Sequence, residues 1–160
     1  MILWFVGMSF LLVWLVFRSP MIDYRLVVLG SLLPLVELPI GEPRLLHSLT
    51  GAVALLGLAM VATPRQRLAQ RRWVAVPIGV FLHLVLDGAW ADTTAFWWPF
   101  TGFSWSTSEL PELGRGGLNI VLELIGAAAL WWCRGAFGLD DPARLERFRR
   151  TGQLDRSVVG

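Results

Sequence analysis

Apolar residues fall in blocks along this chain instead of in the one-sided stripes of a soluble helix, and the polar residues collect between the blocks. The first block runs from Ile2 to Phe17 and stops at Arg18. The second covers about Leu26 to Ile40 and is interrupted by Gly30, Pro34 and Pro39. A third follows Pro43 and reaches Thr63, closed by Pro64; a fourth spans Trp73 to Trp90; a fifth spans Leu118 to Cys133. Blocks of this kind predict an all-α fold, a polytopic transmembrane bundle of about five helices. Each is a little short for the hydrocarbon core, which implies irregular ends or local thinning of the bilayer. The first block has no basic n-region and no small-residue cleavage site, so it reads as a helix and not as a removable signal peptide. Residues 1–133 are thus expected to form a membrane domain and residues 134–160 a cytoplasmic tail. In the tail, Asp141 and Pro142 have the character of an N-cap and a first helical position. A short amphipathic basic helix, Ala143 to about Arg150, would follow and lie against the anionic inner leaflet.

Composition supports the membrane reading and charge orients it. Apolar residues make up 55% of the 160 residues and charged residues only 16%, well off the balance of a soluble domain. All 14 basic residues are arginine. Alternating five helices places twelve of them on one side, Arg18, Arg25, Arg65, Arg67, Arg71, Arg72 and the six from Arg134 onward, against Arg44 and Arg115 on the other. The richer side is the cytoplasmic one, so the N-terminus is expected outside and the tail inside, as in a multi-pass protein of a bacterial-type inner membrane. Arginines dispersed between apolar blocks do not make a nucleic-acid surface. Cys133 is the lone cysteine, so no intrachain disulfide forms. Residues 91–117 become a long external loop carrying Phe96, Trp97, Trp98, Phe100, Phe103 and Trp105. These aromatics read first as an interfacial belt and second as a lid over a substrate.

Ionisable residues in hydrocarbon cost roughly 2.5–3.5 kcal/mol each even on a lenient scale, and so require a reason. Five lie in or beside the blocks: Glu37, His47, His83, Asp87 and Glu123. At about 1.5 Å of rise per residue, all fall within roughly 5–10 Å of the external ends of their helices. Four helices therefore contribute to one thin polar layer, and their inner halves contribute nothing. His83 and Asp87 are spaced i, i+4 and share a helix face. Two imidazoles and two or three carboxylates at one depth form the donor set that zinc, or else manganese or magnesium, requires. Interhelical hydrogen bonding is the plainer reading of any one of these residues. A proton relay uses the same residue types but would have to continue inward. The external Arg44 and Arg115 stand before helices whose N-terminal dipole ends face the layer, an arrangement that suits a phosphate.

Four short stretches, in order, resemble the membrane-bound, metal-dependent hydrolase family first described as LexA-regulated. They are Gly30-Ser31-Leu32-Leu33-Pro34, Arg44-Leu45-Leu46-His47-Ser48, His83-Leu84-Val85-Leu86-Asp87 and Trp98-Pro99-Phe100. The family's acidic pair would fall on Leu35 and Glu37, so its first acid is lost, and Pro43 stands where a histidine often precedes the arginine. The resemblance implies hydrolysis at a divalent metal, either at a single-metal site or, in a degenerate descendant, not at all.

These readings converge on a membrane-embedded, metal-dependent hydrolase acting on a phosphate-bearing lipid at the external face. His47, His83 and Asp87 are the expected metal ligands, with Glu37 as a fourth ligand or as the base that activates water. Arg44 and Arg115 would bind the phosphate, and Glu123 would orient a histidine from outside the ligand set. The alternatives are a non-catalytic membrane subunit, in which the polar layer fixes helix packing or a contact with a second copy or another membrane protein, and a proton-coupled carrier.

Overall fold

The computed structural model describes residues 1–40, 42–104, 106, 110 and 114–159. Trp105, expected in the aromatic loop, lies outside them. The described residues are helical, with no strand. Helix α1 is Ile2–Phe17 and α2 is Tyr24–Leu32, followed by a 3-10 helix over Leu33–Ile40. A 3-10 turn, Leu45–His47, leads into α3, Leu49–Ala62; α4 is Arg67–Trp73 and α5 is Ala75–Asp87. The short α6, Thr93–Phe96, begins the loop, and the long α7, Leu118–Ala136, precedes α8, Pro142–Thr151.

The ends of these helices depart from the hydropathy blocks for local reasons. The second block is α-helical only as far as Leu32, because Pro34 and Pro39 lack the N–H that an α-helix needs. The third begins at Ser48 and not at Pro43: the Ser48 hydroxyl accepts from the Gly51 N–H at 3.0 Å and caps α3. The fourth stops at Asp87, where Gly88 takes the left-handed conformation, φ 69°, and closes α5 one turn before Trp90. In the tail the Asp141 carboxylate accepts from the Ala143 N–H at 2.8 Å with Pro142 in the first turn. Among the described helices, α7 is the one long and apolar enough by itself to cross a membrane. Shorter apolar helices are α1 and α3.

Two helix pairs carry the architecture: α1 lies along α7, and α2 lies along α5, with α3 against the far side of α5. Both crossings are made where a side chain is missing. A Cβ at Gly7 would collide with the Gly126 carbonyl of α7, and a Cβ at Gly79 would collide with the Val27 carbonyl of α2. Backbone contact of this closeness is how helices associate when lipid supplies no hydrophobic drive between them. Apolar side chains meanwhile face outward, among them Val16, Val61, Leu124 and Trp131.

Below the crossings, Phe10 stacks on Tyr24 at 4.6 Å and on Phe137 at 5.5 Å, in a cluster that also takes in Val13, Val27 and Leu154. Leu154 and Phe148 belong to the tail, so the tail folds back onto the bundle. Its backbone is tied there by Tyr24 N–H to Gly152 O at 2.9 Å and Leu154 N–H to Pro20 O at 3.0 Å. Part of the apolar side of α8 is therefore taken by the bundle.

The α2–α5 crossing gives a clean comparison between two glycines. Gly79→Leu forces a side chain into the α2 backbone and is expected to destabilise the fold by about 1–3 kcal/mol or more. Gly57→Leu on α3, where a Cβ meets nothing within 4 Å, is expected to leave stability within about 0.5 kcal/mol. Thermal melting of both variants in detergent reads the difference; equal melting temperatures would remove the close crossing.

Candidate metal centre

Three of the five ionisable residues, carried by two segments, converge. His47, His83 and Asp87 are buried, and one donor atom from each lies within 4.8 Å of the other two. His47 ends the 3-10 turn before α3, while His83 and Asp87 lie one turn apart on α5. The imidazoles meet edge to face with ring centroids 5.3 Å apart.

Each imidazole is held through Nδ1. His47 Nδ1 is 2.7 Å from Glu37 Oε2, and His83 Nδ1 is 2.7 Å from the Ser31 carbonyl. A carbonyl only accepts, so His83 carries its proton on Nδ1 and its lone pair on Nε2. A carboxylate on Nδ1 fixes the same tautomer in His47. This is how proteins orient histidines that bind a metal through Nε2. Phe5 of α1 stacks on the His83 ring at 4.0 Å and keeps it from turning.

Glu37 has a different place from the one expected. Besides His47 it accepts the Leu46 N–H on Oε1 and the Arg44 N–H on Oε2, both at 2.9 Å. Its oxygens bond the turn that presents His47, and it stands beside the donor group of His47, His83 and Asp87 instead of within it. Glu123 is also corrected. Its Oε2 accepts the Leu3 N–H at 2.7 Å, so it caps the start of α1 from α7 and orients no histidine.

The two arginines exchange importance. Arg44 gives its guanidinium to Glu42 at 2.6 Å and its backbone N–H to Glu37. Arg115 reaches the ligands themselves: Nη1 donates to Asp87 Oδ1 at 2.9 Å and Nη2 to the Asp87 carbonyl. These bonds also cap the end of α5, whose last carbonyls carry the negative end of the helix dipole.

The donor set fits a divalent cation. A tetrahedral zinc with bonds of ~2.0–2.1 Å spaces its ligand atoms roughly 3.4 Å apart. The three donors need draw together by little more than an ångström, within the reach of side-chain rotation. Two neutral imidazoles with one carboxylate suit zinc before magnesium, which prefers oxygen throughout.

The sequence pointed to Glu37 behind His47 but to neither partner that holds the His83 ring in place. The Ser31 carbonyl is a backbone atom, and Phe5 is one aromatic in an apolar block. The aromatic loop is tied to the site's rim by the Thr50 hydroxyl, which donates to the Trp98 carbonyl. Phe100 and Phe103 in that loop stand 84% exposed, as an interfacial position requires.

No curated protein and no solved structure matches the chain. A family model does, and it corrects the resemblance to the metal-dependent hydrolases: residues 3–137 match the model described as YdjM inner membrane protein, a different family, and the chain belongs to it.

Proposed function

We propose that this inner membrane protein is a multi-pass, metal-dependent hydrolase of a phosphate-bearing lipid, with its site at the external face. The observation that carries the reading is the pair of buried histidines with fixed tautomers converging on Asp87. His47, His83 and Asp87 would hold the divalent cation, which would supply an acidified water and polarisation of a phosphoryl oxygen. The protein's own part is to hold His47 by Glu37, His83 by Ser31 and Phe5, and Asp87 by Arg115. Arg115 uses two of its five N–H donors on Asp87 and offers the rest to a phosphate oxygen beside it. An apolar groove of about 350 Å³ between α1, α3 and α5 supports a lipid in place of a soluble ester. Its walls include Leu49 and Leu82, on the segments that carry His47 and His83, and Val16 and Phe17 further inward.

The multi-pass reading rests on the exposed apolar girdle and the arginine bias. The α1 helix approaches spanning length, and α2 and α3 are extended by their 3-10 segments. The competing reading, a non-catalytic subunit, draws on the Arg115–Asp87 pair, which neutralises the carboxylate without any ion.

Metal content separates the two. Protein purified without chelators is expected to hold about one zinc, measured by elemental analysis. His83→Ala and His47→Ala should lose it, and Glu37→Gln should weaken its retention ten- to a hundredfold. Negligible metal in wild type and variants alike would leave the subunit reading standing.

Turnover is the second outcome. Phosphate release from a panel of lipid phosphates and diphosphates in mixed micelles is expected with zinc, manganese or magnesium. Asp87→Asn should lower it by a hundredfold or more, and Arg115→Gln by roughly ten- to a hundredfold as the phosphate loses a charged donor. An Asp87→Asn variant as active as wild type would end the enzyme reading.

For topology, Gln66 and Ser104 are both exposed and lie in loops expected on opposite sides. Single cysteines there, in a Cys133→Ala background, should label oppositely with an impermeant thiol reagent in intact cells. Equal labelling would refute the five-span arrangement.

A further inference from the structure

A second polar cavity, of about 430 Å³, lies at the other end of the molecule, where the last turns of α4 and α8 meet. Arg71 and Arg72 reach it from α4, Arg150 and Thr151 from α8, and Asp23, the N-cap of α2, lies at its buried side. Asp23 organises the cluster. Its Oδ2 accepts from Arg25 Nη2 at 3.1 Å and Arg72 Nε at 3.0 Å, and its Oδ1 accepts from Arg25 Nε at 3.1 Å. Burial raises the Asp23 carboxyl, but the bonds and charges of Arg25 and Arg72 outweigh it and hold the group below its usual range. It therefore stays ionised and pins Arg72 by Nε alone, leaving the terminal nitrogens of that fork for something else.

Arg71 and Arg150 enter no ion pair among the described residues. Three arginines, Arg71, Arg72 and Arg150, thus line the cavity with one carboxylate, Asp23, an excess of two positive charges in its lining, and Arg25 bonds that carboxylate from beside it. Such a site takes a phosphate. The rim states which kind: Met21 and Leu68 also line the cavity and are 52% and 83% exposed. Apolar side chains held out beside a cationic pocket suit an amphiphile better than a free ion.

We infer that this cavity binds the phosphate headgroup of an anionic phospholipid in the leaflet on the arginine-rich side of the membrane. Arg71, Arg72 and Arg150 hold the phosphate, and Met21 and Leu68 meet the start of the acyl chains. The site is separate from the histidine cluster and does not depend on catalysis there. It also joins α4 to the tail, so the lipid would fasten α8 to the bundle at its open end.

Native mass spectrometry of the full chain in detergent tests it, with phosphatidic acid, phosphatidylglycerol, phosphatidylcholine and inorganic phosphate as separate probes. Wild type is expected to retain the two anionic lipids over phosphatidylcholine. R71Q with R150Q should weaken that retention about twenty- to thirtyfold, and each single variant about fivefold. R65Q with R156Q, two arginines outside the cavity's lining, should change it less than twofold. Neither Arg71 nor Arg150 has an ion-pair partner to lose, so lipid-free melting should be unchanged; if the double variant melts early, the single variants carry the comparison. Equal retention of phosphatidylcholine, or equal loss in R65Q/R156Q, would show diffuse surface charge and overturn the site. Inorganic phosphate that binds at micromolar concentration and displaces the lipid would overturn the lipid as its ligand.

Discussion

The contact of α2 with α5 at Gly30 and Gly79 sets where everything else in the polar layer can be. With no side chain at Gly79, the α5 surface touches the α2 backbone directly. His83 is four residues further along the same face of α5, and so it arrives at the end of α2, where Ser31 shows its carbonyl. A larger residue at the crossing would move the imidazole off that carbonyl and release its tautomer. The same geometry fixes Asp87 one turn later, at the helix end where Arg115 can reach it. A packing constraint in an apolar region therefore orients an imidazole in a polar one.

The backbone breaks serve the same end. Pro34 and Pro39 deny the second block a continuous α-helix, and the 3-10 segment that replaces it turns Glu37 toward the Leu45–His47 turn. There one carboxylate takes two backbone N–H groups and an imidazole, a set of bonds strong enough to keep a charged group in a nearly closed site. A straight helix would point Glu37 from a regular face and leave the Leu46 and Arg44 amides to find other partners.

Much of this was legible in the sequence, and the parts that were not share a physical cause. Hydropathy blocks locate α1 and α7 closely because those helices present apolar surface nearly all round. They overrun α2, α3 and α5, because hydropathy does not register a Ser48 cap, a Gly88 reversal or a proline-bound 3-10 turn. Depth along the helices puts His47, His83, Asp87, Glu37 and Glu123 in one layer, and the structure brings the first four together. It cannot see azimuth, and Glu123 faces the start of α1 instead. Depth also says nothing of which arginine reaches inward: Arg44 stands closer to His47 in the chain, yet Glu42 claims its guanidinium while Arg115 reaches Asp87 from a distant loop. The tail helix was readable from its cap, whereas its docking was not, since Phe148 and Leu154 are isolated apolar residues among arginines.

Charge balance at the outer site links the cation to the proposed substrate. Among the described residues, the proposed site holds the carboxylates of Glu37 and Asp87 beside the one guanidinium of Arg115, in a region of low dielectric where charge is costly. A divalent cation bound there, as proposed, would bring an excess of positive charge. An anion arriving beside Arg115 removes it, and a phosphate held in the plane of the headgroups is the anion that a membrane offers. On the proposed function, cation and phosphate would thus favour each other's binding here. By the same reasoning a site with Arg115 neutralised keeps its ion but loses its preference for an anionic headgroup over a zwitterionic one. On the proposed function, that would separate holding the metal, a task for the histidines, from choosing the substrate, a task for Arg115.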